Sequence, residues 1–176
     1  SGTRNCLWLL SRFVRDIQTL GAKAGALLKE RGETIVVAES SAGGLISASL
    51  LSVPGASAYF LGGGVVYTSE ARQALVGISQ DEMDERGLRG AMEPYAELLA
   101  ERLKNSHGAV WGLSETGASG PSGNRYGDPA GHTVLAISGP YCKTRTFQTG
   151  SRYRVANMWA FAVAAFSLLG EALESA

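Results

Sequence analysis

Residues 38–44 read Ala38-Glu39-Ser40-Ser41-Ala42-Gly43-Gly44 and follow a β-branched run, Thr34-Ile35-Val36-Val37. A strand that ends in a serine pair and turns through two glycines into an apolar helix holds a hydroxyl at a backbone corner. The first amides of that helix lie close by. Two chemistries suit the corner: a serine nucleophile with an oxyanion hole built from the amides near Ala42, Gly43 and Gly44, or a cradle of those amides around a phosphate. The glycines let a ligand approach the backbone closely. Serines ahead of a helix also serve simply as its cap, which is the structural reading of Ser40 and Ser41. Glu39 beside them is either a base for Ser40 or an anchor for neighbouring backbone groups.

A second donor-rich stretch, Gly117-Ala118-Ser119-Gly120-Pro121-Ser122-Gly123-Asn124, follows a strand-like run and could wrap a phosphate or ribose, or be only a polar surface loop. Arg125, Arg152 and Arg154 would supply its cations, with Ser151-Arg152 at the start of the last helix. His132, beside this loop, is an alternative base, while His107 suits the carbonyls ending a helix. No His, Cys, Asp or Glu cluster has metal-ligand spacing, and Trp8, Trp111 and Trp159 lie in apolar contexts that suit a core. Neither a metal nor a cofactor is expected.

The elements that must position these groups follow from periodicity. Leu10, Phe13, Val14, Ile17, Ala24, Leu27 and Leu28 recur at helical spacing up to a stop at Arg31-Gly32. A strand over Thr34–Ala38 leads to a helix from about Ala42 to Leu51, then a turn at Val53-Pro54-Gly55. Gly62-Gly63-Gly64 enters a strand at Val65-Val66-Tyr67, Ser69 caps a helix to Val76, and Asp81–Arg86 is a further helical turn or two. Glu93-Pro94 opens a helix with Leu98, Leu99 and Leu103 on one face. Ala109–Leu113 is a strand, Glu115–Gly131 a long loop with a turn at Gly127–Gly131, and Thr133–Ile137 with Thr144–Thr149 a hairpin. A helix from about Arg152 to Leu173 closes the chain. The pattern predicts one three-layer α/β/α domain over residues 1–176, with a mixed, mainly parallel sheet and a C-terminal hairpin covered by a long helix. Ligands in such sheets bind beyond the carboxyl ends of strands, where Ser40 and the 117–124 loop fall.

Lysine and arginine balance aspartate and glutamate at 16 each, so no global field draws the chain to nucleic acid or to an anionic membrane. No aromatic–basic alternation offers a nucleic-acid platform. Cys6 and Cys142 have neither metal spacing nor disulfide density and read as buried thiols in a reducing compartment. Ser1–Asn5 lacks a methionine and reads as a cloning scar or a disordered start. The uncharged stretch Val155–Gly170 falls short of the roughly 20 residues a bilayer needs and reads as a buried helix. A cytoplasmic protein without membrane or nucleic-acid partners is expected. The apolar faces of its first and last helices suit a homo-oligomer interface as well as a core.

Taken in order, Ala38-Glu39-Ser40 with Gly43-Gly44, Val53-Pro54-Gly55-Ala56-Ser57-Ala58-Tyr59-Phe60, Tyr67-Thr68-Ser69-Glu70-Ala71, and Thr116-Gly117-Ala118-Ser119-Gly120-Pro121 resemble the CinA C-terminal-domain family, which includes nicotinamide mononucleotide deamidases. The likeness runs from about Gly32 to the last helix. It implies an amidohydrolase that converts nicotinamide mononucleotide to nicotinate mononucleotide and ammonia without a metal. Ser40 matches the family's nucleophile and Tyr67 its tyrosine, while the lysine position holds Arg72. A desolvated lysine can lose its proton and act as a base. A guanidinium cannot, so Arg72 orients or stabilises charge. Tyr67, acidified by Arg72, or Glu39 would then serve Ser40. Ser41-Ala42 replaces Cys-Thr, Ala91-Met92-Glu93-Pro94 replaces Val-Ser-Glu-Pro, and Arg154 is the substitute for an arginine missing near Ala156. The resemblance thus implies Ser40, Tyr67 and Arg72 at the chemistry, with Glu39, Ser41, Ala42, Gly43, Gly44, Gly117, Ala118, Ser119, Gly120, Arg152 and Arg154 around a small-molecule nucleotide. The alternative is a nucleotide-binding or regulatory module of the same fold that has lost the base.

Overall fold

A computed structural model describes the backbone of residues 2–176 and the side chains from Ile17 onward. Helix α1 (Gly2–Arg31) leads into strand β1 (Ile35–Glu39) and helix α2 (Leu45–Leu51). It begins inside the stretch read as a disordered start. The side chains of Cys6, Trp8, Leu10, Phe13 and Val14 lie outside the described residues. After a single 3-10 turn (Ala56–Ala58) come β2 (Phe60–Val65), α3 (Ser69–Val76), α4 (Gln80–Glu85) and α5 (Glu93–His107). Then β3 (Trp111–Ala118), β4 (His132–Ser138), β5 (Lys143–Gln148) and α6 (Arg154–Ser175) complete the domain.

The five strands form one sheet in the order β2-β1-β3-β4-β5. β1 pairs in parallel with β2 and β3, whereas β4 is antiparallel to β3 and β5, so β4 alone opposes the other four. Side chains alternate across the sheet with period two. Ile35, Val37, Trp111, Leu113, Leu135 and Ile137 face a core shared with α1, α2 and α6. Val36 and Ala38 face the opposite core with Val76, Met83 and Leu99, while Val134 and Ala136 meet Ala96 and Ala100. These are the three layers, with the hairpin and long closing helix as expected. α6 is long and apolar enough to cross a membrane by length and composition, but half of its most apolar window is buried inside the domain.

Several boundaries move from their expected places. β2 contains the glycines: a side chain on Gly63 would sit 1.9 Å from the Val37 carbonyl oxygen, so this strand can pack against β1 only without one. Thr68, not Ser69, caps α3, its hydroxyl accepting from the Ala71 amide at 3.1 Å. α2 starts at Leu45, three residues late, because residues 41–44 form a turn with Gly43 and Gly44 at φ of 68° and 100°. β3 runs on to Ala118 instead of yielding to a loop at Glu115. Cys142 is exposed, not buried, because it lies in the turn between β4 and β5. Trp111 is fully buried and Trp159 half-buried.

Candidate active site at the carboxyl ends of the strands

Strand alternation places two carboxylates side by side. Glu39 continues the Ile35–Val37 face and Glu115 the Trp111–Leu113 face, and β1 and β3 run in register with Ala38 opposite Ser114. Both side chains are fully buried. Glu39 turns under the first turn of α2: Oε1 accepts from the amides of Gly44 (2.8 Å) and Ile46 (3.1 Å), Oε2 from the Ser47 amide and hydroxyl (2.8 Å each). Glu115 holds the corner itself. Its Oε2 accepts from the amides of Ser40 (3.0 Å) and Ala42 (2.9 Å), and its Oε1 from the hydroxyls of Ser41 and Thr133. Burial pushes the Glu115 carboxyl up, and the hydrogen bonds from Ser41, Ala42, Thr133 and Ser40 oppose that rise.

These contacts settle what the corner amides do. The Gly43 amide donates to the Ser40 carbonyl at 3.0 Å. With Ala42 on Glu115 and Gly44 on Glu39, none of the three is open to an oxyanion or a phosphate. The positive end of α2 is occupied by the chain's own carboxylate. Glu39 is therefore the anchor of the two readings, and Ser40 and Ser41 do not cap the helix.

Ser40 opens instead onto a cleft of about 410 Å³, lined also by Tyr67, Arg72, Tyr95, Gly117 and Tyr126. A second lobe of about 190 Å³ shares Tyr67, Gly117 and Asn124 with it and adds Ser41, Ala118, Ser119, Gly120 and Arg154. Among the described residues the Ser40 hydroxyl has no hydrogen-bond partner in the chain. Tyr67 is 62% exposed, and its hydroxyl accepts from Arg154 at 3.3 Å, not from Arg72. Arg154 also donates to the Gly120 carbonyl at 2.5 Å, bridging the segments after β2 and β3. Arg72 is 9% exposed and donates through Nε to the Ile78 carbonyl (3.1 Å) and through Nη2 to Gln80 (2.9 Å). Burial, partly offset by Arg72, pushes the Tyr95 phenol up to about 12.

The structure separates other expected site residues from the cleft. Arg152 donates to the Pro121 carbonyl at 3.1 Å and lines a different pocket, with Ala130 and Gln148. α6 begins two residues later than expected, at Arg154, so it is that arginine that reaches the second lobe. His132 is buried and does not line the cleft; its Nε2 lies 3.1 Å from the Ala91 carbonyl and its Nδ1 3.2 Å from the Gln148 amide nitrogen, so both ring nitrogens are engaged within the chain. His107 approaches the Leu103 carbonyl at 3.0 Å, as its place at a helix end suggests. Among the described residues no three His, Cys, Asp or Glu side chains gather as a metal site.

Three groups escaped the sequence reading. Glu115 did because it was placed in a loop; alternation of Trp111, Leu113 and Glu115 was the signal that could have found it. Ala91 lies at φ 55°, unusual for a residue with a side chain, and its peptide is pinned by Thr116 at its amide (3.2 Å) and His132 at its carbonyl. Asn157 is buried and donates to the carbonyls of Ser119 (2.8 Å) and Ser151 (2.9 Å), tying α6 to the loop that forms the second lobe.

Fold and cleft together define an α/β/α domain with a polar two-lobed site at the carboxyl ends of its strands. The CinA C-terminal domain family matches residues 17–173, and the chain belongs to that family. A CinA-like protein of Prochlorococcus marinus is 38% identical over 138 residues, 78% of this chain and 32% of the relative. One from Myxococcus xanthus is 38% identical over 146 residues, 81% of this chain and 34% of the relative. The chain thus spans about a third of the curated relatives it matches. Among solved structures, a competence/damage inducible protein CihA from Agrobacterium tumefaciens superposes with a TM-score of 0.80 at 25% identity, covering 90% of this chain and 96% of that one. A CinA superfamily protein from Klebsiella pneumoniae reaches a TM-score of 0.81 at 21% identity, covering 91% and 99%, a likeness of fold.

Proposed function

We propose that the cleft receives a pyridine mononucleotide, and that the chain acts as a binding or regulatory member of the CinA family in which amide hydrolysis is impaired. The observation that carries this reading is that the corner amides, both buried carboxylates and His132 are already engaged within the chain. The corner amides donate to Glu115, Ser40 and Glu39, both carboxylates are saturated with donors, and both ring nitrogens of His132 have partners in the chain. Arg72 stands at the position of the family's lysine, and a guanidinium does not serve as a general base. A cleft of about 410 Å³ is within the range of small-molecule sites. A saturating ligand at 100-fold over its Kd adds about 2.7 kcal/mol to stability. Nicotinamide mononucleotide should therefore raise the melting temperature in a concentration-dependent way, and no shift at millimolar ligand overturns the reading.

A second reading is supported by Ser40 itself. Its hydroxyl opens to the cleft uncommitted to any other group among the described residues, and Tyr67 lines the same space. On this reading the chain is an amidohydrolase resembling nicotinamide mononucleotide deamidase, with Tyr67 relaying the serine proton. Ammonia release that Ser40→Ala abolishes would establish it in place of the first.

A further inference from the structure

Arg72 differs from the other arginines of this chain in one respect. Each half-buried arginine among the described residues is paired with a carboxylate: Arg89 with Asp128 at 2.8 Å, Arg102 with Glu82, and Arg145 with Glu171, both at 2.5 Å. Arg72 is buried more deeply than any of them and forms no ion pair among the described residues. Its partners are neutral: the Ile78 carbonyl, the Gln80 side-chain oxygen and the Tyr95 phenol. Gln80 is itself held in place, donating to Asp84 at 2.9 Å. Tyr95 does not supply a counter-charge, because a phenol pushed up to about 12 stays protonated at neutral pH. Glu70, the acidic residue that lines the cleft, is exposed and bound to the Ser69 hydroxyl at 3.2 Å; its own backbone amide does most to hold its carboxyl low and Arg72 does least, but Arg72 and Glu70 form no ion pair.

A buried charge without a counter-ion is costly, and a guanidinium fork with five N–H donors matches the geometry of a carboxylate. Three neutral partners leave part of that fork unused. The open side of the site is the cleft, where Arg125 adds a second cation against the single Glu70. Rings line the same space. Tyr67 and Tyr95 stand on either side of Arg72 in sequence, and Tyr126 forms the rim with the Arg125 guanidinium 5.0 Å from its centroid.

We propose that Arg72 makes this cleft a receptor for a carboxylate borne on a heteroaromatic ring, so that it prefers a pyridine mononucleotide carrying a carboxylate over the one carrying a carboxamide. The proposal rests on the reading of the cleft as a mononucleotide site and names which form it takes. The acid accepts two charge-assisted hydrogen bonds from the guanidinium; the amide presents one oxygen and turns its NH2 donors toward a cation. The ligand completes the ion pair that the chain leaves open.

Isothermal titration of the wild-type chain with nicotinate mononucleotide and, separately, with nicotinamide mononucleotide tests this. The acid should bind at least about tenfold more tightly, one charge-assisted contact's worth. Arg72→Gln should erase the preference by weakening the acid alone, while Arg72→Lys, which retains the charge, should keep part of it. Equal affinities, or tighter binding of the amide, overturn the carboxylate proposal and leave the mononucleotide site standing. Binding of neither form overturns both. The wild-type comparison decides the matter even if Arg72→Gln fails to fold.

Discussion

The backbone amide of Ser40 donates to Oε2 of Glu115 at 3.0 Å, a contact between residues 75 apart in the chain. It fixes the corner after β1 from the neighbouring strand, so the serine that opens onto the cleft is held by the sheet rather than by its own helix. The same carboxylate removes the amides that would otherwise bind an anion there. This lock orients Ser40 outward and moves charge recognition to Arg72.

Removing the lock should be expensive. Glu115→Ala leaves the Ser40 and Ala42 amides and the Ser41 hydroxyl without an acceptor, while the Thr133 hydroxyl keeps the Thr116 carbonyl at 3.2 Å. Each orphaned donor costs about 1–3 kcal/mol, so a loss of about 4 kcal/mol in urea unfolding is expected after relaxation and water entry. Glu115→Gln should lose less than half as much, because an amide oxygen still meets the two amides and the hydroxyls can rotate to accept from its NH2.

Asn157→Ala should act on both stability and binding. It removes two donations to carbonyls and the acceptor of the Thr149 hydroxyl, at 2.6 Å, costing about 2 kcal/mol. Because the Ser119 carbonyl belongs to the second lobe, mononucleotide affinity should fall as well. Asn157→Asp, which keeps the acceptor only, should rescue neither carbonyl. Chemical denaturation and titration calorimetry on the same preparations check both effects.

Arg154→Ala should weaken mononucleotide binding about tenfold without changing the fold, since the side chain is exposed and bridges only Gly120 and Tyr67. Arg152→Ala, in a separate pocket, should leave affinity within about twofold. Equal losses from the two would place the ligand's anionic end elsewhere.

Acid stability should carry the mark of Glu171. Lys143 and Arg145, each 2.5 Å away, hold its carboxyl at about 2. A carboxylate that is lower in the folded chain than in the unfolded one stabilises the fold above its unfolded value, about pH 4.3, and loses that contribution as pH falls toward 2. The melting-temperature gap between wild type and Glu171→Gln should be constant from pH 7 to about 5 and close by pH 2. A gap that widens on acidification would reverse the assigned sign.

The strand in the β-branched run Ile35-Val36-Val37, the proline opening α5 and the hairpin around Gly139-Pro140 were all legible from residue types, because β-propensity and turn chemistry dictate them. So was the cleft at the strand ends, since Ser40 and Tyr67 follow parallel strands and Gly117 lies at the end of a third. The role of Glu115 was not, because a polar residue extending an apolar strand looks like a loop until the partner strand supplies its donors. Nor was the engagement of the corner amides: Gly43 and Gly44 predict access to the backbone, and only tertiary contacts reveal that Glu39 and Glu115 already occupy it. Arg152 and Arg154 sit two residues apart in a helix-entry segment, where a shift of that size decides which one meets the cleft.

A cleft that binds a mononucleotide without hydrolysing its amide is distinguished from an amidase by its product. The most direct test is ammonia release from nicotinamide mononucleotide by the wild-type chain at saturating ligand, with Ser40→Ala beside it. Ligand-dependent thermal stabilisation, with ammonia at the level of the Ser40→Ala control, is the expected result for binding without hydrolysis. Sustained ammonia release from wild type that Ser40→Ala abolishes would contradict it.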